Sequence, residues 1–400
     1  MSSHSQAIPI VEETQNPDYD PKKFYPARIG ETLHSKYCLI SKLGFGSGST
    51  VWLAKDVSRW RWQSNKYVAI KITNSKPEDR TAARNEIQIH RQISQVHSSH
   101  EGQNFVRQLE ESFEIKGPFG SHDCLVFEPL RESIWMLGRR FGPIGLPPPL
   151  AKAFLKVILT SLDYLHTECH VIHTDLKADN FILAFEDSAV LEDYVQEQDR
   201  NPASFTEIDG RPIYESRPDF GPLRKGVGRL KTIDFGTAVS GGVLKPHNHD
   251  IQPLQFSAPE VILRATWTYS TDIWNLGTML WEIFTEAPPF SGCGPGSTTY
   301  SVEAHLAQMI RLLGPPPPEL LSRGDPAIVS RLFSKEGEFK YPHLIPPDGY
   351  GLSSITPFLE GEDKRLFLEF AKRMLKWLPE QRATAAELIE DPWLTFNLKI

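Results

Sequence analysis

His173-Thr174-Asp175-Leu176-Lys177-Ala178-Asp179-Asn180, followed far downstream by Asp234-Phe235-Gly236, is the stretch on which the reading of this chain turns. Phosphoryl transfer needs one carboxylate to orient an incoming hydroxyl, a cation to offset charge on the group in flight, and oxygen ligands that hold Mg²⁺ on the nucleotide phosphates. Asp175 and Lys177 are therefore the predicted catalytic pair, and Asn180 and Asp234 the predicted metal ligands. Hard oxygen donors of this kind suit Mg²⁺, which takes one or two protein carboxylates and completes its shell with phosphate and water. Either motif alone could be a loop coincidence, whereas both in this order make coincidence a poor explanation.

Upstream lies a matching glycine-rich turn, Leu43-Gly44-Phe45-Gly46-Ser47-Gly48-Ser49-Thr50-Val51, set between two predicted strands. Glycines there let the backbone fold closely over a triphosphate and aim N–H groups at it. Read alone, the turn is equally an ordinary hairpin. Lys71 ends the apolar run Val68-Ala69-Ile70-Lys71, where a charge is costly unless it meets an anion, and the α and β phosphates of ATP would supply one. Glu86, mid-helix, is the expected partner that holds Lys71 extended, although a solvated helix glutamate is the plainer alternative. Ala69, Phe127, Glu128 and Leu130 complete the expected nucleotide site, with Phe127 walling the adenine pocket ahead of the presumed hinge Glu128-Pro129-Leu130.

With 400 residues, 40% of them apolar, the chain can bury a substantial core. A formal charge of −7 argues against a dominant nucleic-acid surface, which requires a basic excess. The four cysteines, Cys38, Cys124, Cys169 and Cys293, show no metal or redox spacing and read as reduced thiols. Met1 to Asp20 carries no signal-peptide pattern, and no apolar run is long enough for a bilayer. A monomer in the cytoplasm or nucleus, with no membrane contact, is the expectation.

Residues 1–27 read as a polar tail that packs against a first lobe spanning 28–130. That lobe has strands at Tyr37–Ile40, Thr50–Ala54, Tyr67–Ile72 and Asp123–Glu128 and a helix over Thr81–Val96. Residues 131–400 read as a larger helical lobe, with helices over Leu150–His166, Ser270–Phe284, Lys364–Leu375 and Ala383–Ile389. An acidic, then glycine- and proline-bearing stretch over 186–228 has no sustained period and reads as a mostly irregular insertion. Leu313-Gly314-Pro315 to Pro318 opens a stretch expected to extend in polyproline form. His166, Cys169, His170 and His173 fit no standard zinc spacing. The histidines at 97, 100, 247 and 249 read as solvated loop residues. Arg59-Trp60-Arg61-Trp62 and the basic run from Arg224 to Lys231 are too short for a nucleic-acid surface.

These motifs, in this order, resemble the eukaryotic protein kinases over nearly the whole chain. Within them, Phe24-Tyr25-Pro26-Ala27-Arg28-Ile29-Gly30-Glu31, Leu43-Gly44-Phe45-Gly46 with Ser49-Thr50-Val51-Trp52-Leu53, and Val171-Ile172-His173-Thr174-Asp175-Leu176-Lys177 resemble the SR protein kinases of the CMGC group. Met309 to Gly314 is similar to the start of that group's helical insert. The resemblance implies an α+β, two-lobed kinase fold with ATP and Mg²⁺ in the cleft between the lobes. It also implies a protein substrate, with arginine-serine-rich splicing factors and hence splicing regulation as the family-level expectation. It further implies that Glu260 of Ala258-Pro259-Glu260 pairs with Arg382 and that Asp272 ties down the catalytic-loop backbone.

Two departures bear on this. Pro253 and Ser257 stand where the family has a hydroxyl and an arginine, which weakens the expectation of arginine-serine substrates and admits, as the alternative, a pseudokinase that binds ATP and acts through contacts. Thr174 stands where kinases switched by loop phosphorylation carry an arginine, so a constitutively competent loop is expected.

Overall fold

The strand-forming runs of the first third build one antiparallel sheet. In the computed structural model, which describes residues 12–60, 62–142, 145–285 and 288–396, its strands are Thr32–Leu33 (β1), Tyr37–Phe45 (β2), Ser49–Asp56 (β3), Tyr67–Thr73 (β4), Leu109–Gly117 (β5) and Gly120–Phe127 (β6). They are ordered β1-β2-β3-β4-β6-β5. Alternation puts Leu39, Trp52, Ala54, Val68, Ile70, Ile72 and Val126 into one core cluster. The register sets Lys71 opposite Val51 and Leu125.

The helix of this unit runs Pro77–Ser94, starting ahead of the predicted Thr81 because Pro77, Glu78 and Asp79 suit a first helical turn. Its buried positions Ala83, Glu86, Ile89, His90 and Ile93 follow helical spacing. Leu109-Glu110-Glu111-Ser112-Phe113-Glu114 is too acidic to look like a strand, but at the sheet edge Glu110 pairs with Lys66, Glu111 with Lys36 and Glu114 with Arg80.

The expectation of an irregular 186–228 segment is corrected. Ser188–Arg200 is a helix whose first turn is capped by Asp187, which accepts from Ala189 N at 3.0 Å. Phe205–Ile208 and Arg211–Tyr214 then form a hairpin. Its two-residue turn, Asp209-Gly210, has φ of +51° and +79°, the left-handed pair such turns require. Val190, Tyr194 and Val195 pack with Leu53, Tyr67 and Phe220, and the Tyr194 hydroxyl lies 3.0 Å from Ser41 Oγ on β2. Residues 183–229 thus group in one compact unit with the sheet, together with residues up to 91 and 107–132. The tail joins the same unit: Glu12 and Glu13 are buried against Lys42 of β2, and Glu13 also meets Arg211 at 2.6 Å. Met1 to Val11 and Arg61 lie outside the described residues.

The second unit, residues 92–106, 133–182 and 230–400, is helical. Ser270–Phe284 is buried nearly all round, including its polar Asp272, Asn275 and Thr278, with Trp274 stacked on Phe290 and Phe284 on Phe358. Gly361–Met374 packs against it, and helices Pro148–Asp163 and Val302–Leu313 belong to the same unit. Two short antiparallel pairings, Val171–Ile172 with Val239–Ser240 and Phe181–Leu183 with Leu230–Thr232, bracket the 173–180 loop. The proline-rich stretch is extended at Pro317 (φ −67°, ψ 143°) and turns helical immediately after it. Pro318 opens the helix Pro318–Arg323, the position at which its missing N–H costs nothing. No described helix is long and apolar enough to cross a membrane.

Candidate active site

Within the first unit, Lys71 Nζ donates to Glu86 Oε2 at 2.8 Å, with the Glu86 side chain almost wholly buried. β4 delivers the lysine and the helix delivers the carboxylate from its buried face. The glycine-rich turn is the β2–β3 hairpin, closed by Gly46 N to Ser49 O at 2.8 Å. A Cβ at Gly48 would fall 2.3 Å from Asp79 Oδ1, so a side chain there would displace that carboxylate. Phe127 ends β6, paired with Ala69 across the sheet. The Arg107 guanidinium lies 4.6 Å from the Phe127 ring centroid and donates to the Glu128 carbonyl. Arg107 carried no local signal in the sequence.

Within the second unit, the loop is assembled by partners distant in sequence. Asp272 Oδ2 accepts from His173 N and Asp272 Oδ1 from Thr174 N, both at 2.8 Å, and His166 Nε2 sits 2.9 Å from Oδ2. Asn275 holds both backbone groups of Leu176, and Glu282 accepts from Ala178 N at 3.0 Å. Burial pushes the Glu282 carboxyl up from its ordinary range. Thr174 is a β-branched residue at φ +68°, a strained conformation of roughly 1–3 kcal/mol. It is held by the Asp272 bond and by its own hydroxyl, which donates to Thr237 O at 2.9 Å.

On this frame Lys177 Nζ reaches Asp175 Oδ2 at 3.0 Å. Burial works against the lysine's charge, yet the Asp175, Asp234 and Asp179 carboxylates hold its pKa above the ordinary value. Asn180 Nδ2 donates to the Asp175 carbonyl at 2.8 Å and to Oδ2 at 3.1 Å. That commits the amide nitrogen and leaves the amide oxygen as the atom suited to a hard cation. Together with the Asp234 carboxylate, this donor set fits Mg²⁺. Asp234 itself sits at φ +62°, just past the strand Leu230–Thr232. His173 Nε2 lies 2.9 Å from Ile233 O, and its ring packs on Phe235. Glu260 and Arg382 form two bonds of 2.6 Å with neither side chain exposed.

The protein kinase domain model matches residues 37–394. The chain belongs to the protein kinase family. This kinase is 37% identical over 389 residues to a serine/threonine protein kinase of Aspergillus fumigatus, covering 96% of this chain and 91% of the relative. It is 33% identical over 406 residues to the serine/threonine-protein kinase SRPK of Physarum polycephalum, with the same coverage, and 24% identical over 527 residues to SRSF protein kinase 3 of Mus musculus, covering 96% and 91%. A crystal structure of a kinase domain matches with a TM-score of 0.69 at 24% identity, over 94% of this chain and 100% of that one, which supports the fold. The kinase is a serine/threonine protein kinase, with SR protein kinases among its relatives.

Several polar residues outside the motifs also have structural positions. His100 accepts from Gly102 N at 3.0 Å and lies 3.0 Å from Asp163, and His247 stacks on Trp267 at 4.7 Å, so neither is a solvated loop residue. Gln252, at φ +70°, accepts from Ala258 N and donates to Thr271 O, pinning the segment ahead of Glu260. Trp60 and Trp62 are exposed at a hairpin tip.

Proposed function

We propose that this kinase transfers the γ-phosphoryl group of ATP, with Mg²⁺, to a serine or threonine hydroxyl of a protein. Asp175 orients the hydroxyl and takes its proton, while Lys177 offsets charge on the transferring group. Asn180 and Asp234 would hold Mg²⁺, which neutralises charge on the phosphate oxygens. Lys71, braced by Glu86, meets the α and β phosphates. The turn from Leu43 to Val51 covers the triphosphate, and Ala69, Phe127, Glu128 and Leu130 line the adenine site. The observation that carries this reading is the Asp175–Lys177–Asn180 cluster, a carboxylate oriented by an adjacent cation and amide. The intact cluster also argues against the pseudokinase alternative.

A second reading, transfer to arginine-serine-rich splicing factors in the cytoplasm or nucleus, draws on the SRSF protein kinases among the relatives. Labelled ATP incubated with an arginine-serine peptide, a generic basic protein and an Asp175→Ala control tests both. Incorporation by the native protein and none by the variant is the expected result. ATP binding without transfer to any protein would overturn the first reading.

A further inference from the structure

Asp175 lines a groove of about 1020 Å³ within the second unit, so a segment that brings a hydroxyl to this carboxylate must lie along the groove's walls. Those walls are largely aliphatic: Pro253, Leu254, Val261, Val302, Ala327 and Ile328. Leu254 is 62% exposed, an apolar side chain held toward water where an incoming segment would cover it.

The charges in the lining are balanced. Asp250 is 3.0 Å from Arg264, and Arg331 lies 3.9 Å from Glu303 at the wall's edge. The Asp175 carboxylate is engaged by Lys177 and Asn180. His249, also in the lining, is held below the ordinary histidine pKa by burial and by its neighbour His247, so it adds no charge at neutral pH. The lining therefore sets two guanidiniums against two carboxylates. A substrate arginine laid here would meet Arg264 and Arg331 as well as the two carboxylates and so gain no net attraction. An aliphatic side chain would gain burial against Leu254 and Val261.

Resting on the reading of this site as a transfer centre for protein hydroxyls, we propose that the groove selects an aliphatic residue next to the phosphoacceptor and disfavours arginine there, with Leu254 as a specificity-determining residue. The second reading above predicts the reverse preference, so the two are separable.

The test uses the full chain, Mg-ATP and a positional peptide library around one serine, each member fixing leucine, valine, arginine or glutamate at one flanking position. An aliphatic residue at a position adjoining the serine should raise kcat/KM on the order of tenfold over arginine, the scale at which an apolar pocket discriminates. Leu254→Asp, a substitution at an exposed position, should lower that ratio several-fold by weakening the aliphatic substrate and improving the arginine one, a change in selectivity that mere destabilisation would not produce. Arginine equal to or better than leucine at every adjoining position overturns the selectivity and leaves the transfer reaction standing. No transfer to any member, with Asp175→Ala indistinguishable from the native chain, overturns both.

Discussion

Thr174 donates its hydroxyl to the Thr237 carbonyl at 2.9 Å, tying the residue beside Asp175 directly to the segment that follows Asp234-Phe235-Gly236. An arginine at this position would need a phosphate to make that connection, whereas a threonine makes it unaided.

Phosphatase treatment of the purified kinase should accordingly leave its activity unchanged, measured as initial rate on one fixed protein substrate. Thr174→Val keeps the shape and removes the bond, worth about 1 kcal/mol net, and should slow turnover a few-fold. A large loss on dephosphorylation would contradict this account of the loop.

Glu86→Gln should reduce kcat/KM for ATP by roughly 10²-fold, because the bond that extends Lys71 loses its charge at a buried position. The far-ultraviolet circular dichroism spectrum should not change. Native kinetics in this variant would remove the Lys71–Glu86 pair from the proposed nucleotide site.

The Glu260–Arg382 pair is fully buried, so its two partners cannot be lost singly without cost. Arg382→Leu should destabilise the fold by about 3–5 kcal/mol in a denaturant titration, since it strands a carboxylate out of water. Adding Glu260→Leu should recover a large part of that loss. Equal instability of the single and double variants would show that the guanidinium matters through other contacts, such as its bond to the Ser270 carbonyl.

The tail is fastened by charge. Glu12 and Glu13 face Lys42 and Arg211 in a buried cluster, with Ser216 N and Oγ also bonded to Glu12. Burial opposes ionisation of Glu13, but Lys42 and Arg211 hold its pKa below the ordinary 4.5. A carboxyl depressed in the folded state binds fewer protons there than when unfolded, so its stabilisation is present above about pH 4.5 and fades as pH falls through the lower folded value. Glu13→Gln should lower stability at pH 7 by about 3 kcal/mol and flatten the acid limb of the stability–pH curve. A variant with the native acid limb would refute the clamp.

Much of this was legible in the residues themselves. Ser270–Phe284 matches its predicted span because Ile273, Trp274, Leu276, Met279, Leu280, Trp281, Ile283 and Phe284 are apolar at a density that only a buried helix of that length accommodates. The kinase fold followed from motif order. Three elements were misread for separable reasons. β5 is acidic because its glutamates, at the sheet edge, pair with Lys66, Lys36 and Arg80. The polyproline expectation from Leu313 to Pro318 gives no sign that Pro318 starts a helix, the one helical position that suits a proline. In the 186–228 segment, Asp209-Gly210 is a hairpin-turn dipeptide, but no sustained period flanks it to show which strands it joins.

Sequence alone singled out the residues proposed for phosphoryl transfer, because that chemistry demands carboxylate, amide and lysine at short, fixed spacings within one loop. Only tertiary structure decided the rest of what holds them: Asn275 and Glu282 joining Asp272 on the backbone of the catalytic loop, Thr237 receiving Thr174, and Glu12 and Glu13 neutralising Lys42 beside Arg211. These pairings join residues tens to hundreds of positions apart, and their cost or benefit depends on burial, which no local pattern of side chains encodes.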